Sequence, residues 1–234
     1  MSMVGYCHQN GEGTPVDLTE AAHWYRRAAE GGFKLAQYNF AVCLRKGLGV
    51  PQDSVEAVKW YRRAAAQGFA PARAELGQCL LEGTGITRDE HAGFEWIKLA
   101  AEADDLNGLV LLGTCYAEGR GVLQNAAEAF RVWEKAGLRG EASAQHHLGL
   151  CYLEGKGVAK DLPRALAWLQ LASDKPGAKA DPAQEHLLRT LSETDRKAAS
   201  DLLNQLRQQV ETQEKRDQTV KEQLPEINQD RQGC

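Results

Sequence analysis

The chain has 234 residues, with 28 Lys and Arg against 32 Asp and Glu and a formal net charge of −4. That balance argues against nucleic acid as a partner, because neutralising phosphates takes a strong basic surplus. No apolar run approaches the length of a membrane span, and no apolar leader core follows Met1.

From the N-terminus onward one pattern returns. Gly-x-Gly stands at Gly11/Gly13, Gly47/Gly49, Gly83/Gly85, Gly119/Gly121 and Gly155/Gly157, each copy 36 residues after the last. A period in that range indicates stacked supersecondary units that bury a shared core between neighbours, so no domain boundary is needed within the array. The same register collects Asp17, Asp53, Asp89, Asn125 and Asp161, and also Ala28, Ala64, Ala100, Ala136 and Ala172. Trp24, Trp60, Trp96 and Trp168 form a further column, in which Val132 stands in the fourth copy and Trp133 is displaced by one position.

The first copy begins late. Val4-Gly5 already occupies the Leu-Gly position, so the first half of its opening helix is lacking, and a targeting signal would belong to the same segment. Each later copy reads as two helices. In the second, helix A is predicted from about Ala36 to Lys46, with Ala36, Phe40 and Leu44 on one face. Gly47 ends it, since glycine tolerates the left-handed conformation at a helix C-terminus. Asp53 and Glu56 fit a reciprocal capping box that opens helix B, a device repeated at Asp17/Glu20 and Asn125/Glu128. Helix B stops at Gly32, Gly68 or Gly140. Gly77, Gly113 and Gly149, with Ala41, form a small-residue column that permits close helix approach at a cost of roughly 0.5–1 kcal/mol in helix propensity per Gly.

After Ser173 the pattern decays through Asp174-Lys175-Pro176-Gly177 and Asp181-Pro182. Ala183 to Leu191 reads as a half-unit. Ser192 with Asp195 opens a last helix carrying Ala198, Leu202, Leu206 and Val210 at four-residue spacing, expected to lie over the end of the array. The organisation is therefore a repeat array over 1–173, a half-unit and capping helix over 174–211, and a polar tail over 212–234 that composition predicts to be frayed or disordered.

With Ala144, Leu148, Gly149, Tyr152, Gly155, Gly157 and Val158 in place, the chain resembles the Sel1-like repeat family, a relative of the tetratricopeptide repeats, from about Val4 to Ser173. The resemblance implies an all-α solenoid of five helix-turn-helix units, the first incomplete, with a C-terminal capping helix. It also implies a non-catalytic scaffold or adaptor for protein–protein interaction, needing no cofactor. Some bacterial members are cysteine-rich and associated with β-lactam binding or hydrolysis, but they carry two bridged cysteines per unit where this chain has one.

Five of the six cysteines, Cys7, Cys43, Cys79, Cys115 and Cys151, share one register position. Neighbouring copies place equivalent atoms roughly 10 Å apart, beyond disulfide reach, so they are expected to be reduced, buried and small. Cytoplasmic placement is then expected if the N-terminus is complete, and a monomer is expected. The repeated Gly-x-Gly lacks the third glycine of a dinucleotide fingerprint and follows a helix rather than a strand. His147 and Cys151 share a helical face, with His186 at the equivalent position of the half-unit. That trio is the basis of the alternative reading, a hydrolase or metal-binding protein.

Comparison among the copies locates a recognition stripe. Advancing about 100° per residue, one side of helix A carries Leu35/Asn39/Val42/Lys46, then Pro71/Glu75/Gln78/Glu82, Asn107/Leu111/Thr114/Glu118 and Ser143/His147/Leu150/Glu154. Packing positions should repeat, whereas recognition positions need not. Asn39, Glu75, Gln78, Glu82, Leu111, Thr114, Glu118, His147, Leu150 and Glu154 are therefore the candidate partner-binding residues, on what such solenoids present as a concave groove. Helix B offers a second surface, basic in its first two copies at Arg26, Arg27, Lys59, Arg62 and Arg63.

Overall fold

The paired-helix pattern is the pattern of the fold. The structure is a computed structural model describing residues 2–174 and 181–223, with side chains through Thr219. The described helices are α1 (Ser2–Asn10), α2 (Leu18–Glu30), α3 (Lys34–Lys46), α4 (Ser54–Ala66), α5 (Ala70–Glu82), α6 (Glu90–Glu102), α7 (Leu106–Glu118), α8 (Ala126–Gly137), α9 (Ala142–Glu154), α10 (Leu162–Ser173), α11 (Pro182–Thr190) and α12 (Glu193–Gln223). No strand occurs among the described residues. The chain falls into two compact units, one up to Leu111 and one from Leu112. In the first, each of α1 to α5 packs on its successor; in the second, α8 packs on α9, α9 on α10, and α10 on both α11 and α12.

Helix A ends and helix B begins by one device throughout. Gly47, Gly83 and Gly155 adopt the left-handed conformation and donate their N–H to the Cys43, Cys79 and Cys151 carbonyls. Asp17, Asp53, Asp89, Asn125 and Asp161 each accept a backbone N–H from the first turn of the following helix. The capping box is only half formed, which corrects the sequence reading. The Asp53 N–H donates to the Leu44 carbonyl at 2.9 Å, so it is taken before Glu56 can reach back, and Glu56 pairs with Lys59 instead. The same closure links Asp17 to His8, Asp89 to Leu80, Asn125 to Tyr116 and Asp161 to Tyr152, folding each loop back on its own helix A.

In three of the Gly-x-Gly copies the second glycine serves the contact between neighbouring repeats, whereas Gly13 in the first copy has open space around it. A Cβ on Gly49 would stand 2.0 Å from the Leu18 carbonyl oxygen, one on Gly85 2.2 Å from that of Ser54, and one on Gly157 2.1 Å from that of Ala126. Each loop thus rests on the N-terminus of the preceding repeat's helix B, with no room for a side chain.

Within a repeat the small column on helix A faces a large column on helix B. A Cβ on Gly5 would meet Tyr25 at 2.9 Å, on Gly77 Ile97 at 2.6 Å, on Gly113 Trp133 at 2.3 Å and on Gly149 Leu169 at 2.6 Å. The displaced tryptophan is explained here: Trp133 occupies the column of Tyr25, Tyr61, Ile97 and Leu169, where Gly113 makes space for it.

The described part of the C-terminal segment is helical, which corrects the tail assignment. The last helix does not end at 211; α12 continues to Gln223, and 224–234 lie outside the described residues. Leu203 and Val210 are buried, and α12 lies against α10. Past Val210, Gln213 bonds to Asp217, which pairs with Arg139 at 2.9 Å. Residues 212–223 are mostly good helix formers, and these contacts add to the propensity.

Gly77→Ala should destabilise the fold by about 1–3 kcal/mol, because overpacking against Ile97 and the Gly93 carbonyl exceeds the helix propensity gained. Leu148→Ala, at a fully buried position, should cost about 2–5 kcal/mol. Urea titration followed by circular dichroism checks both; a Gly77→Ala protein as stable as its parent would contradict the close contact.

Candidate functional site

The stripe of helix A divides between the two compact units. In the first, Asn39 and Gln78 are half-buried, Lys46 and Glu82 exposed, and Glu75 buried. Gln78 donates to Glu82 at 2.8 Å and the Thr84 hydroxyl lies 3.4 Å from the same carboxylate. Glu75 pairs with Arg45, on the preceding helix A, at 3.1 Å. The Tyr61 hydroxyl faces the same guanidinium without a well-aligned hydrogen bond. Burial pushes the Glu75 carboxyl above the usual carboxylate range, with Arg45 and Lys46 opposing; burial likewise pushes up the Tyr61 and Tyr38 phenols, and the Glu75 charge adds to both.

This ion pair is the part of the site that sequence reasoning missed, and a signal for it was present. Arg45 stands in a column otherwise holding Leu81, Ala117 and Leu153, with Gln9 in the first copy. Gln9 accepts from the Tyr25 hydroxyl at 2.7 Å, just as Arg45 meets Tyr61. Where the helix B column turns apolar, at Ile97 and Leu169, its helix A counterpart turns apolar too, at Leu81 and Leu153. A second missed column caps helix B: Gln37 donates to the Ala29 carbonyl, Arg73 to Ala65 and Gln145 to Gly137. These side chains satisfy carbonyls at a helix C-terminus that have no partner within the helix.

Leu111, the last residue of the first compact unit, is half-buried on α7. In the second unit Thr114, His147 and Leu150 are half-buried, and Glu118 and Glu154 exposed. The two carboxylates are partly offset by cations of their own loops, Glu118 by Arg120 at 3.9 Å and Glu154 by Lys156. His147 stacks flat on Trp133, with ring centroids 4.3 Å apart and 11° between planes. Burial, with His146 adding, lowers its pKa, so at neutral pH the imidazole is an uncharged hydrogen-bonding face.

His147, Cys151 and His186 are not shown working together. His147 is committed to the Trp133 stack, His186 is exposed on α11, and the link to the half-unit is made by His146, whose Nε2 lies 2.5 Å from Asp181. Burial pushes the Cys151 thiol up to about 11, so at neutral pH it is protonated and lacks the thiolate a nucleophile requires. Among the described residues no group of three or more His, Cys, Asp and Glu side chains is placed to hold a metal ion. Nor is any described helix long and apolar enough to cross a membrane. Cys7, Cys43, Cys79, Cys115 and Cys151 are not in disulfides, Cys7 being half-buried and the others buried; Cys234 lies outside the described residues.

Comparison with known proteins places this arrangement. The Sel1 repeat matches five consecutive spans, residues 1–33, 34–69, 70–105, 107–141 and 142–176, each holding one helix pair. A Sel1 repeat protein from Oxalobacter formigenes is 30% identical over 82% of this chain and 84% of its own, with a TM-score of 0.70. The c5321 protective antigen of uropathogenic Escherichia coli, which has the same repeat fold, is 30% identical with a TM-score of 0.71; the match covers 91% of this chain and 45% of the antigen. The immunity protein Pa5087 from Pseudomonas aeruginosa, 20% identical over 88% of this chain and 81% of its own with a TM-score of 0.54, shares the fold. No curated protein matches the chain.

Two outcomes follow from this chemistry. Arg45→Met leaves Glu75 buried without its cation and should cost about 3–5 kcal/mol at neutral pH. Because the folded-state pKa of Glu75 is already raised and rises further in this variant, the native state binds the proton more tightly than the unfolded one; the loss shrinks as pH falls through the folded pKa towards the unfolded carboxylate range. Urea melts across that pH span check it, and a pH-independent loss would show that Glu75 is not the strained partner. Cys43, Cys79, Cys115 and Cys151 should resist alkylation in the native protein and all react once it is denatured, as read by intact mass.

Proposed function

Since the chain belongs to the Sel1 repeat family, we propose that it is a non-catalytic interaction scaffold, a monomer that takes a peptide or protein segment on its helix A faces. The observation that carries this reading is the contrast between columns. The capping Asp or Asn, the glycines of the loop and the Ala column scarcely change. Side chains with exposed or half-buried surface on helix A run Asn39, Leu111, His147, then Val42, Gln78, Thr114, Leu150, then Lys46, Glu82, Glu118, Glu154. Packing constrains the first group identically in every repeat. The second group is free of that constraint and so can encode a partner.

The chemistry of the face suggests the segment. Leu111 in one compact unit and Leu150 in the other offer apolar anchors. Glu82, Glu118 and Glu154 end three successive helices A with carboxylates. The uncharged His147 ring, backed by Trp133, adds a rigid flat contact, the kind of surface that loses little side-chain entropy on binding. Taken unit by unit, Leu111 with Glu82 in the first and Leu150 with His147, Glu118 and Glu154 in the second, each set is complemented by a partner segment with basic residues beside apolar ones.

Affinity capture from cells with parent and variant protein tests the reading. Leu111→Ala with Leu150→Ala should weaken capture of the partner by about tenfold or more while leaving helicity unchanged. Glu118→Lys should chiefly lower the association rate at low salt. Partners retained through all three changes but released by substitution of Arg26, Arg27, Arg62 and Arg63 would sink the helix A reading.

A further inference from the structure

We propose that the exposed faces of α2, α4 and α6, in the first compact unit, form a second docking surface, whose ligand is an acidic protein segment in extended conformation. Contacts between repeats hold these three helices B in register, α2 and α4 at both ends and α4 and α6 at their N-terminal ends. At the N-terminal ends, the loop before α4 rests through Gly49 on Leu18, and the loop before α6 through Gly85 on Ser54. At the C-terminal ends, Gln67 donates from the end of α4 to the Gly32 carbonyl just after α2 at 3.1 Å. Residues a repeat apart therefore sit at the same height on neighbouring helices.

At that height the charge has one sign. Arg26, Arg62 and Lys98 make one column across the three helices, and Arg27 and Arg63 stand beside it; all five are exposed. Arg26 is engaged by Glu30 at 3.0 Å. Carboxylates lie mainly at the two ends of the helices, in Glu20, Glu56 and Glu90 of the first turns and Glu30 and Glu102 of the last, with Glu95 on α6 between them.

Two of the cations are held in a way that simple solvated arginines are not. The Arg63 guanidinium lies over the Trp60 ring, 4.2 Å from its centroid, and Arg27 lies over Trp24 at 5.6 Å. A guanidinium held over a ring has less freedom to lose when it meets a carboxylate bidentately. Equivalent cations of successive repeats stand at least roughly 8–10 Å apart, the separation of packed helices, since α2, α4 and α6 pack mainly through the intervening helices A. An extended chain advances about 3.3 Å per residue, so acidic residues three apart meet that spacing.

The same layout disfavours the other polyanions. A nucleic acid or an anionic bilayer presents a broad field of phosphates, which the carboxylates at both helix ends and the net charge of −4 repel. A single extended segment fits along the basic column between those rims. This surface is separate from the helix A face and stands or falls independently of it.

The test uses the whole protein and a fluorescein-labelled peptide of about twelve residues, with Glu at every third position and Ser or Gly between, read by fluorescence anisotropy at about 50 and about 300 mM salt. Binding should weaken with salt, and Arg62→Glu with Arg63→Glu should weaken it by about tenfold or more without changing helicity. Arg62→Gln with Lys98→Gln, which leaves the Trp60 stack intact, should weaken it severalfold. Arg63→Lys, which keeps the charge but loses the planar fork, should cost about threefold. A peptide with the same residues but its Glu clustered at one end should bind less tightly than the spaced one. Unchanged affinity in both double variants overturns the proposal, as does equal affinity for the clustered peptide, or tighter binding of oligouridine or of phosphatidylserine vesicles.

Discussion

What the structure depends on is the distance between backbones at two glycine contacts. Inside a repeat, helix A approaches helix B so closely that Gly77 and Gly149 leave no space for a methyl group beneath Ile97 and Leu169. Between repeats, Gly49, Gly85 and Gly157 lie against carbonyl oxygens of the preceding helix B at distances no Cβ can tolerate. Each glycine weakens its helix or loop locally. The dense packing of a large side chain against backbone returns that loss, since interiors gain their dispersion energy only where contact is gap-free. Everything else in the repeat, from the left-handed cap at Gly47 to the Asp53 closure onto Leu44, holds the chain at the angle that makes those two contacts possible.

Those constraints are legible in a sequence because they repeat. Gly47 and Asp53 return every 36 residues, and a residue type kept at one register position through several copies reports a local conformational demand. The displaced Trp133 was legible as an exception, although its reason, the space above Gly113, needed coordinates. The reciprocal half of the capping box was not legible, because the competing acceptor, the Leu44 carbonyl, is a main-chain group that every residue possesses. The end of the chain misled for a different reason. Glu, Gln, Lys and Arg are at once the signature of disorder and good helix formers; composition could not decide between them, whereas the Arg139 to Asp217 pair, 78 residues apart in sequence, supports the helix.

The candidate site was legible as a direction and less so as a surface. Helical periodicity put Glu75 on the same side as Asn39, Leu111 and His147, but angle around a helix does not determine depth. Depth at Glu75 comes from the preceding repeat, where Arg45 replaces the apolar residue found in later copies and Tyr61 replaces Ile97 or Leu169. The buried polar group of the first unit is thus a coupled substitution across packed helices: a phenol facing a guanidinium, and that guanidinium drawing in a carboxylate from the next helix A. His147 shows the opposite case, a residue placed on the stripe by angle and fixed there by an aromatic ring whose own position is an exception in its column.

Two kinds of variation therefore coexist in one scaffold. Substitutions within the packed columns come in matched sets, because a lone polar group in a dry contact costs more than it returns unless its partner changes with it. Substitutions on exposed columns need no match: on helix A the chemistry runs freely through Asn39, Leu111 and His147 but keeps one sign at Glu82, Glu118 and Glu154, and on helix B it keeps one sign through Arg26, Arg62 and Lys98. Part of that constancy has a reason within the fold: Arg26 meets Glu30, and Arg27 and Arg63 each cover the tryptophan one turn before them. What the fold does not use are the outward edges of these cations, and those are what the proposed docking of an acidic segment draws on.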